Sequence, residues 1–132
     1  MLVLDTHVVA WLAGAPEKLS RQASQAIEHA RTLNAGLCIA GVTLVELAVM
    51  LARGRLQVQF QATLDSFLEE VERMCVVLPI DRHTANHVTH LPASYPRDPI
   101  DRIIGATAIA HGMPLVTADE RIRKSGAVTT IW

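Results

Sequence analysis

Aromatic residues are scarce in this sequence, and neither sign of charge is in large excess. Phe, Trp and Tyr make up 4% of the 132 residues, so the core has to be built from Val, Ile, Leu and Ala. Such a core is typical of parallel strands that are covered by helices on both faces. The formal net charge of −1 excludes a protein that holds nucleic acid by bulk positive charge. Any binding of a polyanion is therefore expected to be local.

Cysteine is equally scarce, and Cys38 and Cys75 lie in apolar runs. They lack the C-x-x-C spacing of a redox or zinc pair, so we expect two small buried hydrophobic residues in a reducing cytoplasm. No apolar run approaches the length of a membrane span. Asp5 interrupts the apolar opening stretch, which argues against a signal peptide. The sequence predicts a cytoplasmic protein with no membrane partner.

Strand and helix patterns alternate along the chain, and the hydrophobic fraction of 50% is ample for one compact domain over residues 1–132. Alternation of this type indicates βαβ units with right-handed crossovers. The predicted fold is a three-layer α/β/α sandwich around a mainly parallel sheet. Strands are predicted at 1–4, 36–40, 75–78, 114–117 and 128–131, and helices at 6–13, 20–32, 43–53, 60–73, 81–91, 99–111 and 119–124.

Helix boundaries carry recognisable residues. Ser20 and Asp81 are suitable N-caps for the helices that follow them, and Gly112 with Pro114 predicts the end of the helix at 99–111. The segment 91–97 contains two prolines and little periodicity. We expect it to be a loop that delivers an acidic stretch to the next helix.

Four carboxylates occur where strands or loops end. Asp5 ends the opening strand, Glu46 and Asp119 follow the second and fourth predicted strands, and Asp101 follows the proline-rich loop. Segments that leave the carboxyl edge of a parallel sheet converge on one crevice, where ligands bind. The sequence therefore predicts an acidic crevice.

Each acid except Asp5 also has a purely structural explanation. Thr43 with Glu46, and Thr117 with Glu120, match the capping-box pattern. Asp119 is itself a possible N-cap of the helix at 119–124.

The stretch before the helix at 99–111 is open to two interpretations. Asp98 precedes Pro99 and is a suitable N-cap, and Asp101 is an acid in the first turn; both are favoured at helix starts for structural reasons alone. Asp5 differs, because a strand-terminal Asp in so apolar a run needs a partner to offset its desolvation.

Convergence of the four acids would have an energetic consequence. Two carboxylates ~4 Å apart repel by about 4 kcal/mol at an effective dielectric constant near 20, so the group needs protons or a cation. Oxygen ligands without matching Cys or His favour Mg²⁺ or Mn²⁺, and such sites often take a substrate phosphate. Thr6, Thr43 and Thr117 lie beside the acids and could orient the carboxylates or a metal-bound water.

In order and spacing, these motifs resemble the PIN-domain ribonucleases, and among them the VapC-type toxins of toxin–antitoxin pairs. The resemblance runs through Leu4-Asp5-Thr6-His7, Glu46, Asp98-Pro99-Ile100-Asp101-Arg102 and Leu115-Val116-Thr117-Ala118-Asp119. It implies that Asp5, Glu46, Asp101 and Asp119 hold the metal and catalyse the reaction. Asp98 would then be a helix cap, or it would orient the metal ligands without binding the metal itself.

The resemblance further implies an endoribonuclease that depends on Mg²⁺ or Mn²⁺, forms a homodimer and is inhibited by a cognate antitoxin. The near-neutral charge leaves the RNA-contacting surface open. Arg97, Arg102 and Arg121 are the predicted RNA contacts, although Arg102 could instead pair with an acid. Other candidate basic sites, each equally explained as a solvated helix end, are Arg53, Arg55, Arg123 and Lys124.

Several alternatives compete with this prediction. His83, His87 and His90 lie on one helical face and could bind a metal, although a solvated polar face is the more frequent explanation. A receiver-like module or a haloacid-dehalogenase-type phosphatase fits less well, because no acid adjoins Asp5 and position 7 is His. A non-catalytic module of the same fold, which binds Mg²⁺, RNA or a partner, also remains open, because it would retain every residue of the site.

The apolar stretch 45–52 is open to several interpretations as well. It could be core, a dimer interface or an antitoxin groove.

Overall fold

In the computed structural model, which describes residues 1–56, 58 and 63–132, the described strands form one parallel sheet. The sheet order is β3-β2-β1-β4-β5, which confirms the predicted parallel arrangement. The strands are β1 (Leu2–Leu4), β2 (Leu37–Ala40), β3 (Val76–Leu78), β4 (Leu115–Val116) and β5 (Thr130–Ile131).

Helices connect the strands, and several begin at a side-chain cap. Ser20 accepts a hydrogen bond from the Ala23 amide and Asp81 from those of His83 and Thr84, as predicted. A short 3₁₀ turn at Pro16–Lys18 follows the first helix. The helices are α1 (Thr6–Gly14), α2 (Arg21–Thr32), α3 (Gly41–Ala52), α4 (Leu64–Met74), α5 (Arg82–His90), α6 (Pro99–Ala110) and α7 (Glu120–Ser125).

The sheet separates two apolar clusters, because successive strand residues point to opposite faces. Leu37 and Ile39 of β2 pack with α1 to α4, whereas Cys38 and Ala40 pack with α6 and α7. These two clusters are the inner faces of a three-layer α/β/α sandwich, as the sequence predicts. Cys38 and Cys75 are buried free thiols, which is consistent with their predicted role as small hydrophobic residues.

The strand order reverses between β1 and β4. From β1 the chain builds outward through β2 to β3, then returns to the other side of β1 to form β4 and β5. In open α/β sheets, ligands bind at such a switch point, beyond the carboxyl ends of the strands. Leu4 is in register with Val116, so Asp5 and Thr117 emerge side by side at this point.

Several element boundaries differ from the predictions. α3 begins at Gly41 with Ala40 as its N-cap, so the predicted capping box of Thr43 and Glu46 is wrong: both residues lie inside the helix. The predicted helix at 60–73 is observed from Leu64, and residues 60–62 lie outside the described part of the chain. β4 and β5 are shorter than predicted. Within the described ranges, no helix is long and apolar enough to cross a membrane.

Candidate active site

Asp5 is the most deeply buried carboxylate of the site, with 6% of its surface exposed. It is the N-cap of α1, and its Oδ1 accepts a hydrogen bond of 2.8 Å from the Thr6 amide. Its Oδ2 accepts a 2.6 Å hydrogen bond from the Thr117 hydroxyl. Both oxygens are therefore held by groups at the ends of β1 and β4.

Thr117 connects Asp5 to a second acid. Its Oγ1 also accepts a 3.1 Å hydrogen bond from the main-chain amide of Asp119. Asp119 caps α7 through its Oδ1, which accepts from the amides of Arg121 and Ile122 at 2.8 and 3.1 Å. The predicted capping box of Thr117 and Glu120 is thus wrong, since Asp119 occupies the N-cap and Glu120 pairs with Lys124.

Glu46 approaches the site from α3. One turn before it, the buried Thr43 hydroxyl accepts a 3.4 Å hydrogen bond from the hydroxyl of Thr6. This buried pair joins α3 to the start of α1. It fixes the position of the helix that carries Glu46 relative to Asp5.

Asp101 lies in the first turn of α6, which begins at the N-cap Asp98. The Asp98 Oδ1 accepts from the amides of Ile100 and Asp101 at 2.9 and 3.2 Å. The buried Tyr95 hydroxyl donates a 2.9 Å hydrogen bond to the main-chain carbonyl of Asp101. Asp101 is therefore anchored through its backbone, while its carboxyl group faces the cavity.

The acids share one cavity of about 1070 Å³. The four predicted site acids and Asp98 all line it, together with the exposed ring of His7. The structure thus brings together residues that are up to 114 positions apart in the chain, between Asp5 and Asp119.

Burial and mutual repulsion favour the protonated forms of these acids. Burial, and then Asp5, Asp98, Asp119 and Glu46, raise the pKa of Asp101 to about 7. Burial and then Asp5 raise the pKa of Glu46. Burial also raises the pKa of Asp5, although the hydroxyl of Thr117 opposes the rise. A cation in the cavity would relieve this repulsion.

Among the described residues, no three His, Cys, Asp or Glu side chains are already gathered as a metal-holding group. Like charges repel, so carboxylates are not expected to meet at ligand distance without a cation between them. The donor set itself fits Mg²⁺ or Mn²⁺, because carboxylate oxygens are the ligands these ions prefer. No hydrogen bond from a described residue holds the carboxyl groups of Glu46 or Asp101, so both can turn inward.

The predicted RNA-contacting arginines do not line the cavity. Arg102 donates to the main-chain carbonyls of Pro96 and Leu91 at 3.1 and 3.5 Å, so it braces the loop before α6 rather than pairing with an acid. Arg97 and Arg121 are exposed elsewhere. The positive charges at the cavity belong instead to Lys18, Arg53 and Arg55, and Trp11 lies beside them in its lining.

These residues were missed for different reasons. Arg53 and Arg55 were candidates that nothing in the sequence ranked above the other arginines. Trp11 and Lys18 gave no recognisable motif, although Trp11 follows His7 by four positions and so shares its face of α1. The histidine strip lies on α5, where His83 and His90 are exposed, and none of its members lines the cavity.

Comparison with known proteins identifies the family of this chain. The family model described as "PIN domain" matches residues 2–127. Ribonuclease VapC22 of Mycobacterium tuberculosis is 38% identical over 133 residues, which cover 99% of this chain and 98% of that protein.

Solved structures share the fold at low sequence identity. VapBC2 from Rickettsia felis, bound to a DNA fragment from the promoter, has a TM-score of 0.72 at 13% identity, covering 98% of this chain and 96% of that chain. DNA-bound VapBC from Salmonella typhimurium has a TM-score of 0.70 at 21% identity, with 98% and 97% coverage. With the family model matching nearly the whole length, this chain belongs to the PIN-domain family, and within it to the VapC group.

Proposed function

We propose that this chain is a metal-dependent endoribonuclease that hydrolyses RNA phosphodiester bonds and acts as the toxin of a toxin–antitoxin pair. The observation that carries the proposal is the meeting of Asp5, Glu46, Asp101 and Asp119 at one cavity, at the switch point of the sheet. The name of the relative at 38% identity, Ribonuclease VapC22, supports the nuclease class.

Mg²⁺ or Mn²⁺ is the proposed cofactor, and the four acids are the residues that would hold it. When bound, such an ion would activate water and stabilise the leaving oxygen of an in-line displacement. Asp5 and Asp119 are held by hydrogen bonds at the ends of their strands, so they form a fixed base for the site. Glu46 and Asp101 are the adjustable ligands.

Binding of a metal ion to these acids is expected to be coupled to the release of protons. With a pKa of about 7 in the absence of a cation, the Asp101 carboxyl is protonated in about half of the molecules at neutral pH. Binding of a cation favours the charged carboxylate, so protons are released as the site is loaded. Metal affinity is therefore expected to fall as the pH is lowered below about 7.

The decisive experiment is cleavage of a labelled structured RNA by the purified chain with Mn²⁺, with Mg²⁺ and with EDTA. Asp5→Asn, purified identically, should abolish cleavage. Asp65→Asn is the matched control, because Asp65 is an exposed acid on α4 that does not line the cavity. Cleavage that survives in Asp5→Asn would indicate a contaminant, and no cleavage by any form would favour the non-catalytic binding module.

We also propose that the chain forms a homodimer. On α3, Val45 and Val49 are 60% and 41% exposed, and their spacing of four residues places them on one face of the helix, where a second copy of the chain could cover them. Size-exclusion chromatography with light scattering should give twice the mass of 14.4 kDa. A monomer at micromolar concentration would contradict the dimer.

A cognate antitoxin is the remaining proposed partner. Its support is that the structural neighbours were solved as VapBC assemblies. Co-expression with the product of the neighbouring gene should yield a stable complex in which RNA cleavage is suppressed. Free chain with unchanged activity in the same preparation would remove that product as the antitoxin.

A further inference from the structure

The cavity extends well beyond the acids. It continues between α1 and α3, where it is lined by Trp11, Gly14 and Lys18 on one side and by Met50, Arg53 and Arg55 on the other. With a rise of 1.5 Å per residue, Arg53 lies about 10 Å further along α3 than Glu46. The result is one groove with an acidic end and a basic end.

The basic end carries positive charges that form no ion pair with another described residue of the protein. Lys18, Arg53 and Arg55 are all exposed. Ion pairs between described residues are formed elsewhere, by Arg73 and Lys124 with acids of their own helices. The three cations therefore have no acidic partner in the described part of the chain, and they face the groove.

Trp11 gives the groove an aromatic surface that is held in place. Its ring centroid is 6.0 Å from that of His7 and 5.7 Å from that of Trp132, at tilted angles of 54° and 48°. Tilted packing on two sides holds the indole while leaving part of it in the groove. A fixed aromatic ring costs little entropy when a flat ligand stacks on it.

We propose that the basic end of this groove is a binding site for single-stranded RNA, in which Lys18, Arg53 and Arg55 contact phosphates that neighbour the cleaved one and Trp11 stacks with a base. This inference rests on the proposed nuclease function and identifies the residues that hold the RNA strand beside the acids. Cations that track the backbone next to an aromatic platform are the combination that single-strand binders use. The acids then receive one phosphate, while its neighbours lie on the basic side chains.

Trp11 beside the cations favours RNA over a polypeptide as the occupant. A basic peptide would suit the acids and be repelled by Lys18, Arg53 and Arg55. An acidic peptide and an RNA strand are both anionic, so charge alone does not separate them. Each nucleotide of RNA, however, carries both a phosphate for the cations and a flat base that can stack on the indole.

The test measures binding separately from cleavage. A fluorescein-labelled single-stranded RNA of about 12 nucleotides, within the footprint of single-strand binders, is titrated in EDTA with the full chain at several salt concentrations. Each phosphate contact contributes about 0.7 to the slope of log K against log salt. The Arg53→Gln/Arg55→Gln variant should therefore lower the slope by about 1.4. Arg82→Gln, an exposed arginine on α5, should leave it unchanged.

Stacking is tested at Trp11 itself. In Trp132→Phe protein, Trp11 is the single remaining tryptophan, so its fluorescence should be quenched when RNA binds. Trp11→Leu should weaken binding roughly tenfold, in keeping with the energy of a stacked base, whereas Trp11→Phe should retain most of the affinity. Circular dichroism of each variant confirms that the fold is kept.

The failure of this inference can be told from the failure of the proposed function. An unchanged salt slope in the double arginine variant, or no quenching of Trp11, would overturn the RNA site even if the protein cleaves RNA with metal. Absence of any RNA binding, both in EDTA and by the Asp5→Asn protein with Mg²⁺, would also overturn it and would leave the groove to a polypeptide. Loss of metal-dependent cleavage alone would count against the nuclease and leave the binding result standing.

Discussion

The Thr117 hydroxyl donates a 2.6 Å hydrogen bond to Oδ2 of Asp5 and accepts a 3.1 Å hydrogen bond from the amide of Asp119. One fully buried side chain thus fixes two of the site acids relative to each other across the switch point of the sheet. This relationship depends on β1 and β4 being neighbours, although their residues are more than a hundred positions apart.

Thr117→Val is expected to destabilise the protein by about 2 kcal/mol, because it removes a hydrogen bond to a buried charged group and leaves the Asp119 amide unpaired. The loss should grow as pH rises through the folded-state pKa of Asp5, since the missing donor matters most for the carboxylate. Urea unfolding over a series of pH values measures both effects. Thr117→Ser retains the hydroxyl and is the control; equal stability of Val and Ser variants would contradict the role assigned to Thr117.

Asp101 should make the metal-free protein less stable as the pH rises. Its folded pKa, about 7, lies above the ordinary value of 3.8, so between these values the folded state binds more protons and stability falls with pH. Asp101→Asn should reduce this dependence; the part that remains comes from Asp5 and Glu46, whose pKa values are also raised. This substitution should raise the melting temperature in EDTA at about pH 8 by roughly 4 °C, equivalent to about 1 kcal/mol after discounting for the exposed part of the side chain.

The same variant has a second expected effect. If Asp101 holds the cation, Mg²⁺ should raise the melting temperature of Asp101→Asn less than that of the unchanged protein. Differential scanning calorimetry with and without Mg²⁺ measures both. Asp65→Asn should behave like the unchanged protein throughout, and identical curves for all three forms would remove Asp101 from the site.

The fold was predictable because local and long-range signals agree. Short apolar runs are followed closely by residues such as Asp5, Asp81 and Asp119 that start helices, so strand ends and helix starts are marked together. The start of α3 was mispredicted because the Thr43–Glu46 pattern is itself a good helix start. In the structure, the helix begins at Gly41, immediately after β2, so Thr43 and Glu46 already lie inside it.

The two ends of the groove were not equally predictable. The acids could be placed because each follows a strand or a helix cap, and parallel topology sends such positions to one edge. The cations have no such rule: Arg102 and Arg53 look alike in sequence, yet one braces a loop and the other faces the groove. The direction in which each side chain points depends on how α3 and α6 pack against the rest of the fold. This packing is not apparent from the residues that surround each arginine in the sequence.

Gly105 on α6 is expected to be intolerant of any side chain. A Cβ placed there would overlap the hydroxyl oxygen of the buried Tyr95 and lie 2.6 Å from its Cζ. Gly105→Ala should therefore cost at least about 2 kcal/mol, toward the upper range for overpacking. Tyr95→Phe should cost about 1 kcal/mol, the worth of its hydrogen bond to the Asp101 carbonyl.

A double-mutant cycle makes the Gly105 prediction specific. Because Tyr95→Phe removes the closest atom, the two changes together should cost less than the sum of their separate effects in urea unfolding. Gly41→Ala is the control, since its nearest neighbour, the Leu78 carbonyl oxygen, would be at an ordinary 3.5 Å. Additive costs would show that Tyr95 does not limit the space at Gly105.

Arg102 should affect stability and leave RNA affinity unchanged, the reverse of Arg53 and Arg55. Its guanidinium donates to the carbonyls of Pro96 and Leu91, so Arg102→Gln should loosen the loop before α6 and cost about 1 to 2 kcal/mol in urea unfolding. The salt slope of RNA binding in EDTA should not change, because no phosphate contact is lost. Arg102→Lys should recover only part of the stability that Arg102→Gln loses, since one ammonium group cannot reproduce the two-pronged geometry of a guanidinium. A stable Arg102→Gln protein with a salt slope reduced by about 0.7 would instead place Arg102 on the RNA.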